Sequence, residues 1–140
     1  QSVTIYKVAP EKLHLLASWS KGIASLLKDH HKKCGVPSDY ILEDTVKCLN
    51  FSELLEKYGF KELDGNYDYL QIDVEGYDAE ILKMIDFNKT KFDLIKFERI
   101  NLSKRDSEAA VAILKKAGYR IYHQIEDSIA VKQKLKFYLN

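Results

Sequence analysis

The sequence predicts an α/β fold with a mostly parallel sheet and an antiparallel hairpin at its C-terminal end, and three observations carry that prediction. From residue 45 onward, β-branched and aromatic runs of strand length alternate with segments of helical period. Glycines and short polar clusters punctuate the alternation where a chain must reverse. Strand, helix, strand, helix, strand in one short chain implies right-handed crossovers, and so strands lying parallel. The 140 residues suit one compact domain, 1–140, and 46% hydrophobic with 31% charged residues is an ordinary globular balance.

The elements follow in order. Val3 to Val8 is β-branched and aromatic, and Pro10 closes it as a strand. Glu11 to Asp44 has weak periodicity, broken by Trp19, Gly22, Gly35 and Pro37, and reads as a long excursion with one short helix. Thr45 to Leu49 is a short strand. Asn50 with Glu53 three residues later forms a capping-box start, Phe51, Leu54, Leu55 and Tyr58 follow helical spacing, and Gly59 stops the helix. Tyr67 to Val74 is a strand, and Asp78 to Ile85 is a helix presenting Ala79, Leu82 and Ile85 to a sheet. Phe92 to Glu98 is the next strand. Arg105 to Ala117 is a helix with Ala110, Ile113, Leu114 and Ala117 on one face, ended by Gly118. Tyr119 to Ile125 and Ile129 to Gln133 form a hairpin around Glu126, Asp127 and Ser128.

Composition excludes several function classes. A formal net charge of +1 provides no global field for nucleic acid or an anionic membrane. No apolar run reaches membrane-spanning length, and no signal core opens the chain. Cys34 and Cys48 lack CxxC spacing and a paired histidine motif, so the expectation is two free thiols in a reducing cytoplasm, with neither a disulfide framework nor a zinc site. The six glycines are too far apart for GxGxxG or a phosphate loop. The chain opens at Gln1, enters a strand almost at once, and has Met84 as its single methionine, which reads as the later part of something longer.

The functional signal is the acidic end of the Tyr67 to Val74 strand. Ligands of open α/β sheets bind at the carboxyl ends of strands, and Asp73 and Glu75 fall there, followed by Gly76 and a helix start. If the strand stays extended through Glu75, the two carboxylates share a face, with Cα atoms about 6.5 to 7 Å apart. They could then hold a divalent cation or take a proton from a substrate hydroxyl, while Gly76 leaves room for a bound group. Equally, both acids could simply open a helix whose N-terminus favours negative charge, and on residue physics alone the two readings are evenly matched.

The segment from Leu70 to Leu82, with Asp73-Val74-Glu75-Gly76 at its centre, resembles the signature of FkbM-family methyltransferases. Phe97-Glu98 closing the next strand and Gly118-Tyr119 opening the hairpin are similar to the same pattern, as are Val3 to Ala9 and the small-residue loop Gly22 to Leu26. The resemblance implies a Rossmann-like fold that transfers a methyl group from S-adenosylmethionine, usually to a hydroxyl of a sugar or secondary metabolite. It implies Asp73 at the reacting centre and in contact with the cofactor, Glu75 as catalytic base or acceptor-binding group, and Gly76 and Glu98 as further acceptor contacts. It also places the cofactor's glycine-rich turn and its second-strand acid before Gln1, so that this chain supplies the acceptor side of the complete domain. The Tyr67 to Val74 strand would then be an edge, inviting pairing of two chains. The competing readings are a non-catalytic interaction module and a magnesium-dependent phosphotransfer domain using Asp73 and Glu75.

The remaining residues of note have plainer expectations. His30-His31-Lys32-Lys33 reads as a solvated basic loop in preference to a phosphate or metal patch. Trp19 is expected to anchor a long loop, Cys48 to pack in the core, and His123 to be a partly buried strand residue. Lys132, Lys134 and Lys136 alternate as the outer face of an edge strand would.

Overall fold

The computed structural model describes residues 2–60 and 64–133, with the Trp19 side chain excepted. Lys134 and Lys136 lie outside the described residues, as does the side chain for which Trp19 was singled out. Among the described residues, seven strands form two sheets. β1 (Ser2–Val8), β2 (Ala24–Ser25) and β3 (Ile41–Lys47) build a three-stranded sheet in the order β2-β1-β3. β4 (Asn66–Ile72), β5 (Lys91–Glu98), β6 (Tyr119–His123) and β7 (Asp127–Lys132) build a four-stranded sheet in the order β4-β5-β7-β6. The helices are α1 (His30–Lys33), α2 (Phe51–Lys57), α3 (Asp78–Met84) and α4 (Lys104–Lys116), with 3-10 turns at Pro10–Leu15, Ser18–Ser20 and Ser38–Tyr40.

The mixed α/β class is confirmed, and the mostly parallel sheet is not. Among the described residues only β4 and β5 pair in parallel, and every other pair is antiparallel. Two long-range choices account for this. The terminal hairpin forms, with its turn at 124–126 in place of the expected Glu126 to Ser128, but β7 inserts between β5 and β6, so that β6 runs in the direction of β5 without pairing with it. The first strand, expected as an earlier member of the main sheet, pairs instead along its whole length with β3, from Ser2 opposite Lys47 to Val8 opposite Ile41. That pairing draws β3 back to Ile41, ahead of the expected start at Thr45, and breaks the Glu11 to Asp44 excursion into turns, the β2 bridge and α1.

Local signals hold well. Asn50 and Glu53 make the reciprocal capping box that starts α2, with Asn50 Oδ1 accepting the Glu53 N–H at 2.9 Å and Glu53 Oε2 accepting the Asn50 N–H at 2.8 Å. Ser103 caps α4 through the Asp106 N–H, and Gly118 adopts φ +84 after the helix, the left-handed conformation that glycine reaches without strain. α3 and α4 pack on one another, and Ala79, Leu82, Ala110 and Leu114 from them meet Ile72, Phe92, Ile95, Phe97, Tyr119 and Ala130 from the sheet in one buried cluster. The Tyr119 hydroxyl crosses beneath β7 to donate to the Phe92 carbonyl at 2.8 Å and accept the Phe92 N–H at 3.0 Å. Burial raises its pKa.

Three smaller expectations are corrected. Cys48 is half-buried and outside the core, one residue past β3, which itself presents no fully buried residue. His123 is exposed, with Nδ1 2.8 Å from Ser128 Oγ, because β6 is the outer strand of its sheet. Lys132 lies on the interior strand β7, where Nζ donates to the Ala117 carbonyl at 2.5 Å and stands 4.4 Å from the Tyr119 ring centre. The expected edge is β4, which has β5 on one side and no strand on the other among the described residues. No helix among the described residues is long and apolar enough to cross a membrane.

Candidate functional site

β4 ends at Ile72, level with Phe97 of β5, so the chain leaves the sheet one residue before Asp73. The expected extension through Glu75 does not occur. Glu75 adopts φ +52 and Gly76 φ +94, two successive left-handed residues that turn the chain into α3. The two acids therefore do not share a strand face. Asp73 is exposed and lines a groove of about 260 Å³ along the β4 edge, together with Phe51, Leu54, Leu70, Ile81 and Met84.

Glu75 meets a different set of groups. Its carboxylate Oε2 lies 3.0 Å from His30 Nε2 and accepts Asn101 Nδ2 at 3.2 Å. The same Asn101 amide donates to Glu98 Oε2 at 2.9 Å, bridging the acids at the ends of the two parallel strands. Glu98 is tied down through its backbone, whose N–H donates to Asp78 Oδ1 at 3.0 Å. From the other side Ser25 Oγ donates to the Glu75 carbonyl at 3.1 Å, and accepts the Leu27 N–H at 3.0 Å. A left-handed non-glycine residue costs about 1–3 kcal/mol and persists only where its surroundings over-determine it. Here the segment 25–30 and Asn101 do so.

Gly76 is required twice over. Its φ of +94 suits glycine, and a Cβ there would stand 2.9 Å from Leu27 Cδ1 and 3.2 Å from the Asn101 carbonyl oxygen. The turn is closed between Leu27 and Asn101.

The electrostatics follow from burial. Burial raises the pKa of Glu98 against the pull of the Asn101 hydrogen bond, and the charges of Glu75, Asp73 and Asp78 raise it further. Asp78 is fully buried; desolvation raises its carboxyl against the backbone N–H of Glu98, and its Oδ2 has no hydrogen-bond partner among the described residues. Burial lowers the His30 pKa, with Glu75 opposing, and raises that of the Cys34 thiol, whose Sγ lies 3.6 Å from His30 Nε2. Among the described residues, no three His, Cys, Asp or Glu side chains are grouped so as to hold a metal ion.

Of the residues singled out in the sequence, Glu75, Gly76 and Glu98 come together, and Asp73 stands beside them facing the groove. Sequence reasoning missed His30, Ser25, Asn101 and Asp78. The reading of the His30 to Lys33 run as a solvated loop holds for the exposed Lys32 and Lys33 and is overturned for the histidines and for the loop: the run is helical, His30 is 3% and His31 0% exposed. The loop from Gly22 to Leu26, already similar to a family loop, was the available signal for Ser25, and the Glu98 to Asn101 spacing the signal for the bridging amide. Nothing local signals the burial of the histidines.

An acidic turn follows the parallel strand of a mixed α/β sheet, with an amide bridging two strand-end carboxylates, groups whose chemistry is to accept hydrogen bonds and protons. The family model described as Methyltransferase FkbM domain matches residues 4–121. The chain belongs to that family. No curated protein and no solved structure gives a significant match.

Proposed function

We propose that this chain serves S-adenosylmethionine-dependent methyl transfer to a hydroxyl of a small molecule, a sugar or secondary metabolite, at the Glu75–Gly76 turn. Family membership supports the reaction class. One observation supports the place: the Glu75 carboxylate sits past the end of β4, anchored through Oε2 and 25% exposed, with Oε1 free of hydrogen bonds among the described residues. Such a group can take a hydroxyl proton while its own position is fixed.

The groove beside Asp73 fits the cofactor in kind, since Phe51, Leu54, Leu70, Ile81 and Met84 offer apolar wall and Asp73 a carboxylate for a cationic group. When bound, S-adenosylmethionine supplies a methyl group on a positively charged sulfur. Glu75 receives the acceptor's proton, and Glu98, held beside it by the Asn101 amide, contacts the acceptor. Gly76 keeps the turn free of a side chain.

Calorimetric titration with S-adenosylhomocysteine tests the reading. Binding is expected, with Asp73→Asn weakening it by about tenfold, roughly 1.4 kcal/mol. Glu75→Gln should retain that binding and reduce methyl transfer to a panel of methyl glycosides by roughly 10²- to 10⁴-fold. Absence of S-adenosylhomocysteine binding both by this chain and by a version extended upstream of Gln1 sinks the proposal.

A further inference from the structure

We propose that His30 is a positioning residue for Glu75: its imidazole, carried in from the excursion between β2 and β3, holds one carboxylate oxygen so that the other stays directed to the acceptor. The inference deepens the reading above and rests on it.

The geometry separates the two adjacent histidines. His31 is wholly buried and donates Nε2–H to the Ile23 carbonyl at 3.2 Å, a bond internal to its own segment. His30 is almost as buried, yet its Nε2 lies 3.0 Å from Glu75 Oε2, on a carboxylate that is 25% exposed. A carboxylate only accepts, so Nε2 carries the hydrogen. Neutral imidazole has a single N–H, and here it is directed at Glu75. Volume alone would be met by an apolar side chain, and a buried N–H without a partner would cost about 1–3 kcal/mol.

His30 and Asn101 Nδ2 bind the same oxygen from opposite parts of the fold, α1 on one side and the β5–α4 connection on the other. Two donors on Oε2 leave Oε1 for a substrate hydroxyl. The Ser25 bond to the Glu75 carbonyl fixes the backbone of the same residue. Glu75 is thus held at main chain and side chain by one stretch of six residues, Ser25 to His30, and that stretch would orient it.

The charged and titratable groups facing His30 are Glu75 from the β4–α3 turn, and His31, Lys33 and Cys34 from its own segment. Burial favours the neutral ring, the form that holds Glu75 without withdrawing its basicity. Protonation of the ring would place an imidazolium against Glu75 and weaken it as a base.

Two readouts test this on the intact chain. By NMR, the His30 ring should titrate about one unit lower in Glu75→Gln than in the unaltered protein. In methyl transfer to methyl glycosides, His30→Ala should lose roughly ten- to a hundredfold through misplacement of Glu75. His30→Gln, which can still offer an N–H, should recover most of that loss and extend the acid limb of the pH–rate profile to lower pH. A ring titration indifferent to Glu75→Gln, or a His30→Gln profile identical to that of His30→Ala, overturns the positioning role. A chain that shows the titration response but transfers no methyl group overturns the methyltransferase reading, and with it any part for His30 in catalysis.

Discussion

The four-stranded sheet and the three-stranded sheet are held by different interactions. Every residue of the buried apolar cluster lies between Ile72 and Ala130. Among the described residues before Ile72 the buried set is Val8, Ala9 and Val36 together with Ser20, Ser25, His30 and His31, so polar groups outnumber apolar ones there. A region with so little apolar burial gains little from transfer out of water, and its order depends on having its buried polar groups satisfied. Two of those groups, Ser25 and His30, are satisfied by Glu75. The C-terminal sheet would therefore supply the rigid frame, and the N-terminal region would be fastened to it at the candidate site.

The largest expected effect breaks the frame. Leu114 is fully buried among α3, α4 and the sheet, so Leu114→Ala should cost about 2–5 kcal/mol in urea unfolding. Leu42 on β3 is 43% exposed, and Leu42→Ala should stay within about 0.5 kcal/mol. Similar costs at both positions would show that the two sheets do not differ as described.

Tyr119→Phe comes next. It keeps the ring and its edge-on contact with Phe87 at 5.9 Å, but strips both hydrogen bonds from the Phe92 backbone. Leaving buried backbone groups unpaired costs about 1–3 kcal/mol. The loss should appear as a lower urea midpoint with an unchanged slope.

The parts of the fold that were legible are those in which neighbours in sequence do the deciding. The Asn50–Glu53 box, the Ala79, Leu82 and Ile85 face and the hairpin all depend on residues a few positions apart. What escaped depends on distant ones. β7 could pair with β6 alone or also slide in beside β5, and only tertiary packing chooses. The burial of His30 requires a carboxylate forty-five positions away in the chain, and a basic run in isolation carries no trace of it. The left-handed turn at Glu75 escaped for the same reason, since a non-glycine residue adopts it only when Ser25, His30 and Asn101 are already in place.

Gly76→Ala tests the fastening itself. The new Cβ meets the flexible end of Leu27 and the backbone of Asn101, and φ +94 is strained for any L residue, so about 1–3 kcal/mol is expected. The loss should be local. Hydrogen exchange should quicken in residues 24–36 and at the start of α3, while β5 and α4 keep their protection; uniform loss of protection would count against a separate N-terminal fastening.

Acidification should produce the smallest effect and separate the regions by sign. The folded-state pKa of His30 is lowered from its ordinary 6.5, chiefly by burial. Its contribution to stability is therefore whole above 6.5 and is lost as pH falls through the lowered value, because the unfolded chain then binds the proton more readily. Asp78 and Glu98 are shifted upward by burial, so acidification toward their raised values relieves the folded state. Between neutral pH and about pH 5, exchange corrected for intrinsic rates should quicken around residues 24–36 and hold steady or slow at the α3–β5 junction. His30→Gln removes the titrating ring and should abolish the first change while leaving the second. If the variant responds to acid as the unaltered chain does, His30 is not the group that loosens the N-terminal region, and the polar fastening must rest on Ser25 and Asn101 instead.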